Sequence, residues 1–201
     1  KELNDSLPMT VFNAGLHASL GMKFFLDDCS QYLKKGDILV FSPEYDQFYG
    51  VLSDGQAMMA DAFYLYGCHY PGKISYKQII GIIQNTPSFL KEKIEFNKYG
   101  DVTWHWYNNR PHNGPDCKGI DDSNPVFNER AFEYIISKLN ELKSRGVTIV
   151  MYPPVFENEA YAGSIKSINY IAERLNKVDF PYACSPDDCS FPKEYFYDTN
   201  Y

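Results

Sequence analysis

The alternation of apolar and polar positions predicts short strands that alternate with amphipathic helices. Four short runs predict strands, at residues 10–15, 38–41, 147–152 and 180–184, and the last of these is the weakest pattern. The run at 38–41, Ile-Leu-Val-Phe, is continuous and apolar, which is typical of a strand buried on both faces. Gly36 and Asp37 precede this strand, and Pro43 stops it.

Apolar residues at helical spacing predict the helices. One stripe, with apolar residues at i, i+3, i+4, i+7 and i+11, runs from Met22 to Leu33, and Gly36 lies just past its end. Asn128 is placed to cap a second helix, which ends near Gly146. Further helical patterns cover residues 58–66, residues 76–84, where Pro87 is expected to end the helix, and residues 161–175.

This order of elements favours a single α/β domain over residues 1–201. Strands that alternate with long helices are typical of a three-layer α/β/α sandwich with a mainly parallel, flavodoxin-like sheet. Between residues 50 and 125 the pattern becomes irregular, and an aromatic, polar segment surrounds Trp104. A long insertion of this kind is typical of a lid or binding loop over the carboxyl edge of the sheet. The alternative is a structural insertion that packs its own aromatic rings.

Composition and charge narrow the possible partners. The 201 residues include 19 basic and 26 acidic side chains, with a formal net charge of -7 and no basic run that could follow a phosphate backbone. A nucleic-acid partner is therefore not expected. No apolar run reaches the roughly 18 residues that a membrane span needs. The first residues also lack the apolar core of a signal peptide, so the only expected membrane attachment is an anchor outside this chain.

The cysteines leave alternatives open. None of Cys29, Cys68, Cys117, Cys184 and Cys189 forms a Cys-x-x-Cys pair with nearby histidines, so no metal site is expected. Cys184 and Cys189 could close a small disulfide loop in an oxidising compartment, or remain two unpaired loop thiols. Cys29 lies on the apolar face of the first predicted helix and is interpreted as a core residue.

The candidate site follows from the strand ends, because no compact motif identifies it. The chain has no Gly-x-Gly-x-x-Gly, phosphate loop, His-Glu-x-x-His or Gly-x-Ser-x-Gly sequence. No cofactor is expected, and a nucleotide binder is disfavoured. Ligands of open parallel sheets bind at the carboxyl ends of the strands. The residues expected there are Asn13, Gly15, His17, Ser19, Glu44, Tyr45, Asp46, Tyr152, Glu157 and Asp198.

Single residues in this set have simpler interpretations. His17 alone is better explained as a structural histidine, and Glu44 could equally cap backbone amides. Their convergence on one sheet edge is what supports a functional site.

Three short blocks of the sequence resemble the SGNH/GDSL hydrolase superfamily. They are Phe12-Asn-Ala-Gly-Leu-His-Ala18, Gly36-Asp-Ile-Leu-Val-Phe-Ser-Pro-Glu-Tyr45 and Phe196-Tyr-Asp-Thr-Asn-Tyr201. They are most similar to divergent bacterial cell-envelope members, including the D-alanine transfer proteins of teichoic-acid modification. The resemblance implies a serine nucleophile after the first sheet strand and a His near the C-terminus that is assisted by an Asp. Such a site transfers or hydrolyses an acyl group, while hydrogen-bond donors stabilise the tetrahedral oxyanion.

The resemblance assigns roles to particular residues. Asp198 matches the C-terminal Asp. Ala18 falls where the family usually has a Gly that donates its backbone N–H to the oxyanion, and Tyr45 falls where it usually has an Asn. A phenol can also donate a hydrogen bond to an oxyanion, so Tyr45 is chemically admissible. Glu44 and His17, which lie next to these positions, are expected to contact the substrate.

No residue of this chain matches the family's nucleophilic Ser or catalytic His. Either residues 1–201 are a fragment, incomplete at both ends, with the Ser and His outside it, or the protein has lost catalysis and retains the scaffold for binding. The fragment is favoured, because a sheet without its first central strand would expose unpaired edges and apolar surface.

Two functions are therefore expected. The first is an SGNH-like acyl-ester hydrolase or acyltransferase that acts on cell-envelope carbohydrate outside the cytoplasm of a bacterium. Its substrate surface would include Trp104, His105, Trp106 and Tyr107, because flat rings suit both sugar faces and acyl chains. The second is a non-catalytic carbohydrate- or ligand-binding domain that uses the same aromatic surface. Only the first requires a Ser and a His in the complete gene product.

Overall fold

The computed structural model describes residues 6–14, 21–50, 63–64, 76–90 and 119–196. The chain divides into two compact units, one formed by residues 1–25 and 53–110 and the other by residues 26–52 and 111–201. The α-helices in the described ranges are α1 (Met22–Tyr32), α2 (Tyr76–Phe89), α3 (Glu129–Ser144), α4 (Asn158–Gly163) and α5 (Ile165–Lys177). The strands there are β1 (Ile38–Phe41), β2 (Thr148–Met151), β3 (Phe156–Glu157) and β4 (Ser190–Phe191). This part of the chain is therefore mixed α/β.

The described strands pair in parallel, and for β1 and β2 this agrees with the mainly parallel sheet that the order of elements predicts. β1 pairs with β2, with Ile38 opposite Thr148 and Phe41 opposite Met151. β3 pairs in parallel with β4. The carboxyl ends of β1 and β2 consequently lie side by side, so the residues that follow them share one edge of the sheet.

The predicted ends of α3 are confirmed in detail. The side chain of Asn128 accepts a hydrogen bond from the backbone N–H of Ala131 at 3.0 Å, which satisfies one of the free donors in the first turn. After the helix, Gly146 adopts a φ of 85°, a left-handed conformation that glycine accepts without strain.

The core of the unit that contains residues 26–52 and 111–201 forms where α3 and α5 meet the strands. A 3-10 helix, Tyr45–Phe48, begins four residues after the end of β1 and contacts both α3 and α5. Its residues Tyr45 and Phe48 are fully buried. The other fully buried apolar side chains of this core include Ile135, Leu139, Leu142, Phe156, Ile168, Ile171 and Leu175. Because each such side chain stabilises the folded state by about 1.5–3 kcal/mol, the start of the 3-10 helix is held firmly in place.

β1 is a strand as predicted, but it is not buried on both faces. Ile38 and Val40 share one face and are 49% and 62% exposed, whereas Phe41 on the other face is buried. Alternating exposure of this kind shows a strand that is covered on one side. A short apolar run cannot distinguish this arrangement from a fully covered strand, because the covering elements come from elsewhere in the chain.

The prediction that Pro87 ends the second described helix is wrong, since α2 continues to Phe89. In the last turn a proline removes only one backbone hydrogen bond, which the helix can lose. Around it, the hydroxyl of Thr86 donates to the carbonyl oxygen of Ile82 at 2.7 Å, and the backbone N–H of Leu90 donates to the carbonyl oxygen of Thr86 at 3.1 Å.

The helix predicted at 161–175 is divided into α4 and α5 at Ser164. The hydroxyl of Ser164 donates to the carbonyl oxygen of Ala160 and accepts a hydrogen bond from the backbone N–H of Ile120, both at 2.7 Å. Gly119 lies so close to Ser164 that a Cβ on this glycine would be 2.1 Å from the hydroxyl oxygen. The break thus depends on a contact with a distant loop, which the periodicity of the helix does not contain.

Two predicted strands are not formed as such. Residues 10–14 are irregular, with Phe12 73% exposed, and residues 180–184 make a single parallel bridge, between Met151 and Tyr182. A strand exists only where a neighbour completes its hydrogen bonds, and a short apolar run does not specify that neighbour. Of the helix predicted at 58–66, Phe63 and Tyr64 are described and are helical. Most of the insertion predicted at 50–125 lies outside the described residues.

No helix among the described residues is both long enough and apolar enough to cross a membrane.

Candidate functional site

The candidate site lies at the carboxyl ends of β1 and β2. Beyond β1, Glu44 and Tyr45 open the 3-10 helix, and beyond β2, Tyr152 comes directly after Met151. Tyr182 joins the same edge, because its bridge is formed with Met151, the last residue of β2. The site thus combines three tyrosines and a glutamate from three segments that are far apart in sequence.

Tyr45 is the most deeply buried residue of this edge. Its ring packs edge-to-face on Phe156, with the two ring centroids 5.3 Å apart and the planes at 84°. The residue is 0% exposed, and its hydroxyl has no hydrogen-bond partner in the described part of the chain. Burial raises the pKa of this phenol, and the charges that Tyr182, Tyr161 and the nearby thiols would carry if ionised raise it further. Tyr45 therefore keeps its proton and can act as a neutral hydrogen-bond donor.

Tyr182 resembles Tyr45 in this respect. Its hydroxyl is also buried without a hydrogen-bond partner among the described residues, and burial raises the pKa of the phenol. A buried hydroxyl left unsatisfied costs about 1–3 kcal/mol. Such groups are uncommon in folded proteins, and a bound ligand or an ordered water often supplies the missing hydrogen bond. Two hydroxyls whose hydrogen-bonding capacity is unused among the described residues therefore lie at one sheet edge.

Glu44 adds a carboxyl group at the start of the 3-10 helix, next to Tyr45 in sequence. Its side chain makes no capping hydrogen bond to the 3-10 helix that it precedes, so the interpretation of Glu44 as a cap of backbone amides is wrong for this helix. Burial raises the pKa of the carboxyl, and the negative charge of Asp46 raises it further, whereas a hydrogen bond with Gln47 lowers it. Glu44 is thus a half-buried carboxyl whose charged form is disfavoured.

Two thiols form the rim of the edge next to Tyr152. Cys184 and Cys189 are both free, and their sulfur atoms are 3.7 Å apart. A hydrogen bond to Cys184, followed by the charges of the two thiols, raises the pKa of Tyr152 to about 12. Of the two interpretations of this cysteine pair, the structure shows the unpaired thiols.

Glu157 has a structural role. It is 2% exposed, and one oxygen of its carboxylate accepts hydrogen bonds from the backbone N–H groups of Glu159 and Ala160, each at 2.9 Å. These contacts cap the N-terminus of α4, where a negative charge is stabilised by the free N–H groups.

The structure therefore brings together Glu44, Tyr45 and Tyr152 of the predicted set. Asp46 is next to them but exposed, and Asn13 lies in the irregular stretch 10–14. The remaining predicted site residues lie outside the described residues: Gly15, His17, Ala18, Ser19, Trp104, His105, Trp106, Tyr107 and Asp198.

Sequence reasoning missed Tyr182 as a site residue. The signal was present, because Tyr182 is the aromatic residue at the centre of the weak strand pattern 180–184. Only the bridge to Met151 places it at the end of β2. A weak strand pattern can therefore still supply a residue at the carboxyl edge of a sheet.

A groove of about 440 Å³ runs along β2 on the side of Phe180 and Ala183. Its two charged residues, Lys143 and Asp179, form an ion pair with each other at 2.9 Å. The rest of its lining is mainly apolar, so it offers less chemistry than the sheet edge. Within the described ranges, no group of three or more His, Cys, Asp or Glu residues could hold a metal ion.

No protein-family model, curated protein or solved structure matches this chain.

Proposed function

We propose that the protein is an SGNH-like acyl-ester hydrolase or acyltransferase that acts on cell-envelope carbohydrate outside the bacterial cytoplasm, on a three-layer α/β/α scaffold. One observation supports this more than any other. The hydroxyl of Tyr45 is fully buried and unsatisfied among the described residues, at the strand end where the family resemblance calls for an oxyanion donor.

The proposed chemistry explains why an unsatisfied hydroxyl would be retained. When a serine oxygen attacks the ester carbonyl, the carbonyl oxygen becomes an oxyanion, and a donor already in place stabilises that charge. A hydrogen bond to a charged group contributes about 1.5–3 kcal/mol, more than one to a neutral carbonyl. A phenol is protonated at neutral pH, and burial raises the pKa of Tyr45 further, so this donor is present there.

The other groups of the proposed reaction have defined tasks. A histidine takes the proton of the serine hydroxyl and later gives it to the leaving alcohol, and Asp198 holds the imidazole in the required tautomer. The acyl group then passes from the serine to water or to a sugar hydroxyl. Glu44, a half-buried carboxyl beside Tyr45, is suited to hydrogen-bond a sugar hydroxyl.

The test uses the complete gene product, a short-chain chromogenic ester and a serine-directed fluorophosphonate. Tyr45→Phe removes one oxyanion donor, so kcat is expected to fall by about 100-fold to 1000-fold with little change in KM. Tyr49→Phe is the matched control. The hydroxyl of Tyr49 already donates to the carbonyl oxygen of Ser167 at 3.0 Å, so its loss should leave kcat nearly unchanged.

Two results would contradict the proposal. An unchanged kcat in Tyr45→Phe would remove Tyr45 from the oxyanion site. No fluorophosphonate labelling of the complete gene product, together with saccharide binding that weakens in Tyr45→Phe, would replace the enzyme by a non-catalytic carbohydrate-binding domain that uses the same edge.

A further inference from the structure

We propose that Cys184 and Cys189 form a reversible dithiol–disulfide couple that exchanges with small-molecule disulfides, with Cys184 as the attacking thiol and Cys189 as the resolving thiol. The two sulfur atoms are already 3.7 Å apart in the reduced protein. This inference goes beyond acyl transfer and does not depend on it.

The chain between the two cysteines is held in a shape that keeps the sulfurs close. Pro186–Cys189 forms a 3-10 helix with a capping box. The side chain of Ser185 accepts a hydrogen bond from the N–H of Asp187 at 3.4 Å, and the carboxylate of Asp188 accepts one from the N–H of Ser185 at 3.2 Å. A disulfide needs the sulfurs at about 2.05 Å, so a small side-chain movement is sufficient.

Both ends of this loop are also anchored. On one side the backbone N–H of Ala183 donates to the carbonyl oxygen of Met151 at 2.8 Å, and on the other side β4 pairs with β3. Little chain entropy remains to be lost when the loop closes, which favours an intramolecular bond over a lasting bond to a small molecule.

The two thiols differ in a way that sets the order of attack. Cys184 is half-buried, whereas Cys189 is only 4% exposed. Burial raises the pKa of the Cys189 thiol to about 11, and a hydrogen bond with Cys184 and the negative charge of Asp188 add to the effect. The accessible thiol therefore meets an external disulfide first.

Glutathione disulfide is the only oxidant that the exchange needs. The thiolate of Cys184 attacks one sulfur of glutathione disulfide, and one glutathione leaves as a thiolate. The Cys189 thiol then loses its proton, its sulfur attacks the Cys184 sulfur of the mixed disulfide, and the second glutathione leaves. Two protein thiols are oxidised to one disulfide by two electrons, and the two protons end on the two glutathione thiols.

Oxidation would change the rim of the candidate site. In the reduced protein, the Tyr152 phenol hydrogen-bonds the thiols, and its pKa is raised to about 12. A disulfide cannot ionise, so its formation should lower the pKa of Tyr152 towards the ordinary value of 10.0. The redox state of the loop is thereby coupled to a phenol at the end of β2.

The test follows the tryptic peptide 178–193, which contains both cysteines, in the folded protein. The reduced protein is incubated with glutathione disulfide, quenched with acid and alkylated, and the peptide is weighed. The wild-type peptide should lose two hydrogen atoms and carry no alkyl group or glutathione. In Cys189→Ser, Cys184 should instead retain one glutathione, because the resolving thiol is missing. Cys29, a half-buried thiol with a pKa raised to about 11, is the internal control and should remain alkylated.

Cys184→Ser tests the order of attack. Cys189 is 4% exposed, whereas Cys184 is half-buried, so an external disulfide reaches Cys189 less readily. Cys184→Ser should therefore form its glutathione adduct more slowly than Cys189→Ser.

Three results would overturn the proposal. They are full alkylation of the wild-type peptide at every ratio of glutathione disulfide to glutathione, a stable glutathione adduct on wild-type Cys184, and equal rates for the two serine variants. An unchanged pKa of Tyr152 after oxidation, measured by NMR of ring-labelled tyrosine with Tyr152→Phe for assignment, would overturn the coupling to the site.

Discussion

The N-terminus of α5 and the carboxyl edge of the β1–β2 sheet both collect polar groups inside one compact unit, but they satisfy them differently. At the N-terminus of α5, the carboxylate of Asp122 accepts hydrogen bonds from the backbone N–H groups of Lys166 at 2.8 Å and Ser167 at 3.0 Å, and from the Ser167 hydroxyl. At the sheet edge, the hydroxyls of Tyr45 and Tyr182 are buried with no partner among the described residues.

This difference separates groups that stabilise the fold from groups whose hydrogen-bonding capacity is unused among the described residues. Asp122 comes from a loop 44 residues before Lys166 and replaces the side-chain cap that Ser164 does not provide. Its contacts are complete within the protein, so they favour folding. The two phenols lower stability until something binds, and natural proteins retain such costs mainly where function requires them.

The largest expected effect on stability is at the N-terminus of α5, where the polar groups are hydrogen-bonded within the protein. Asp122→Ala removes an ionised acceptor from three donors, so it should lower the free energy of unfolding by about 2 kcal/mol. The matched control is Asp121→Ala, because Asp121 is exposed and its carboxylate accepts local hydrogen bonds from Ser123, from the backbone N–H at 2.9 Å and from the side chain. The control should change stability by less than about 0.5 kcal/mol in urea denaturation. Equal losses in the two variants would mean that Asp122 does not cap α5.

A smaller effect is expected at two tyrosines, where loss of the hydroxyl should change stability in different directions. Tyr49→Phe removes a hydroxyl that donates to the carbonyl oxygen of Ser167, so it should lower the free energy of unfolding by about 1 kcal/mol. Tyr45→Phe removes a hydroxyl with no such partner and should leave the stability of the unliganded protein unchanged or raise it. Urea denaturation of the two variants gives both values. A clear loss of stability in Tyr45→Phe would show that its hydroxyl is already satisfied.

The smallest expected effect is a difference in how the stability contributed by Asp122 and by Glu44 depends on pH. Burial opposes ionisation of Asp122, but hydrogen bonds from Ser167 and from the backbone outweigh it and lower its pKa below 3.8. The stability that Asp122 adds is therefore present at higher pH and is lost as the pH falls through its folded-state pKa. The pKa of Glu44 is raised above 4.5, so its contribution is present at low pH and is lost as the pH rises through its folded-state pKa.

Denaturation of the wild type, Asp122→Asn and Glu44→Gln between pH 3 and pH 7 checks these signs. The difference between the wild type and Asp122→Asn should shrink as the pH falls below about 4, since the unfolded chain then takes up a proton at Asp122 before the folded protein does. The wild type should lose stability relative to Glu44→Gln as the pH rises above about 4.5. Parallel curves for the two variants would mean that the two carboxyl groups do not differ in environment.

Helices and strands were predictable from the sequence where the apolar pattern and the residues that end the element are close together in one segment. The apolar stripe of α3, its cap Asn128 and the glycine after it, Gly146, are close together in sequence, and the structure confirms all three. The strands β1 and β2 were predicted in the same way, and their parallel pairing agrees with the mainly parallel sheet that the alternation of strands and helices predicts. The position of Glu44 and Tyr45 at a strand end followed from the strand alone.

The remaining features depend on contacts between distant segments. The break at Ser164 needs Ile120, the cap of α5 needs Asp122, and the place of Tyr182 needs its bridge to Met151. Exposure of Ile38 and Val40 depends on which elements cover the sheet. Periodicity and capping act within one or two turns of the chain, so the sequence by itself determined the helices, the main strands and one half of the sheet edge. Burial and hydrogen-bond satisfaction depend on the partners that folding brings together, so only the tertiary structure decided which polar groups at that edge were left without a partner among the described residues.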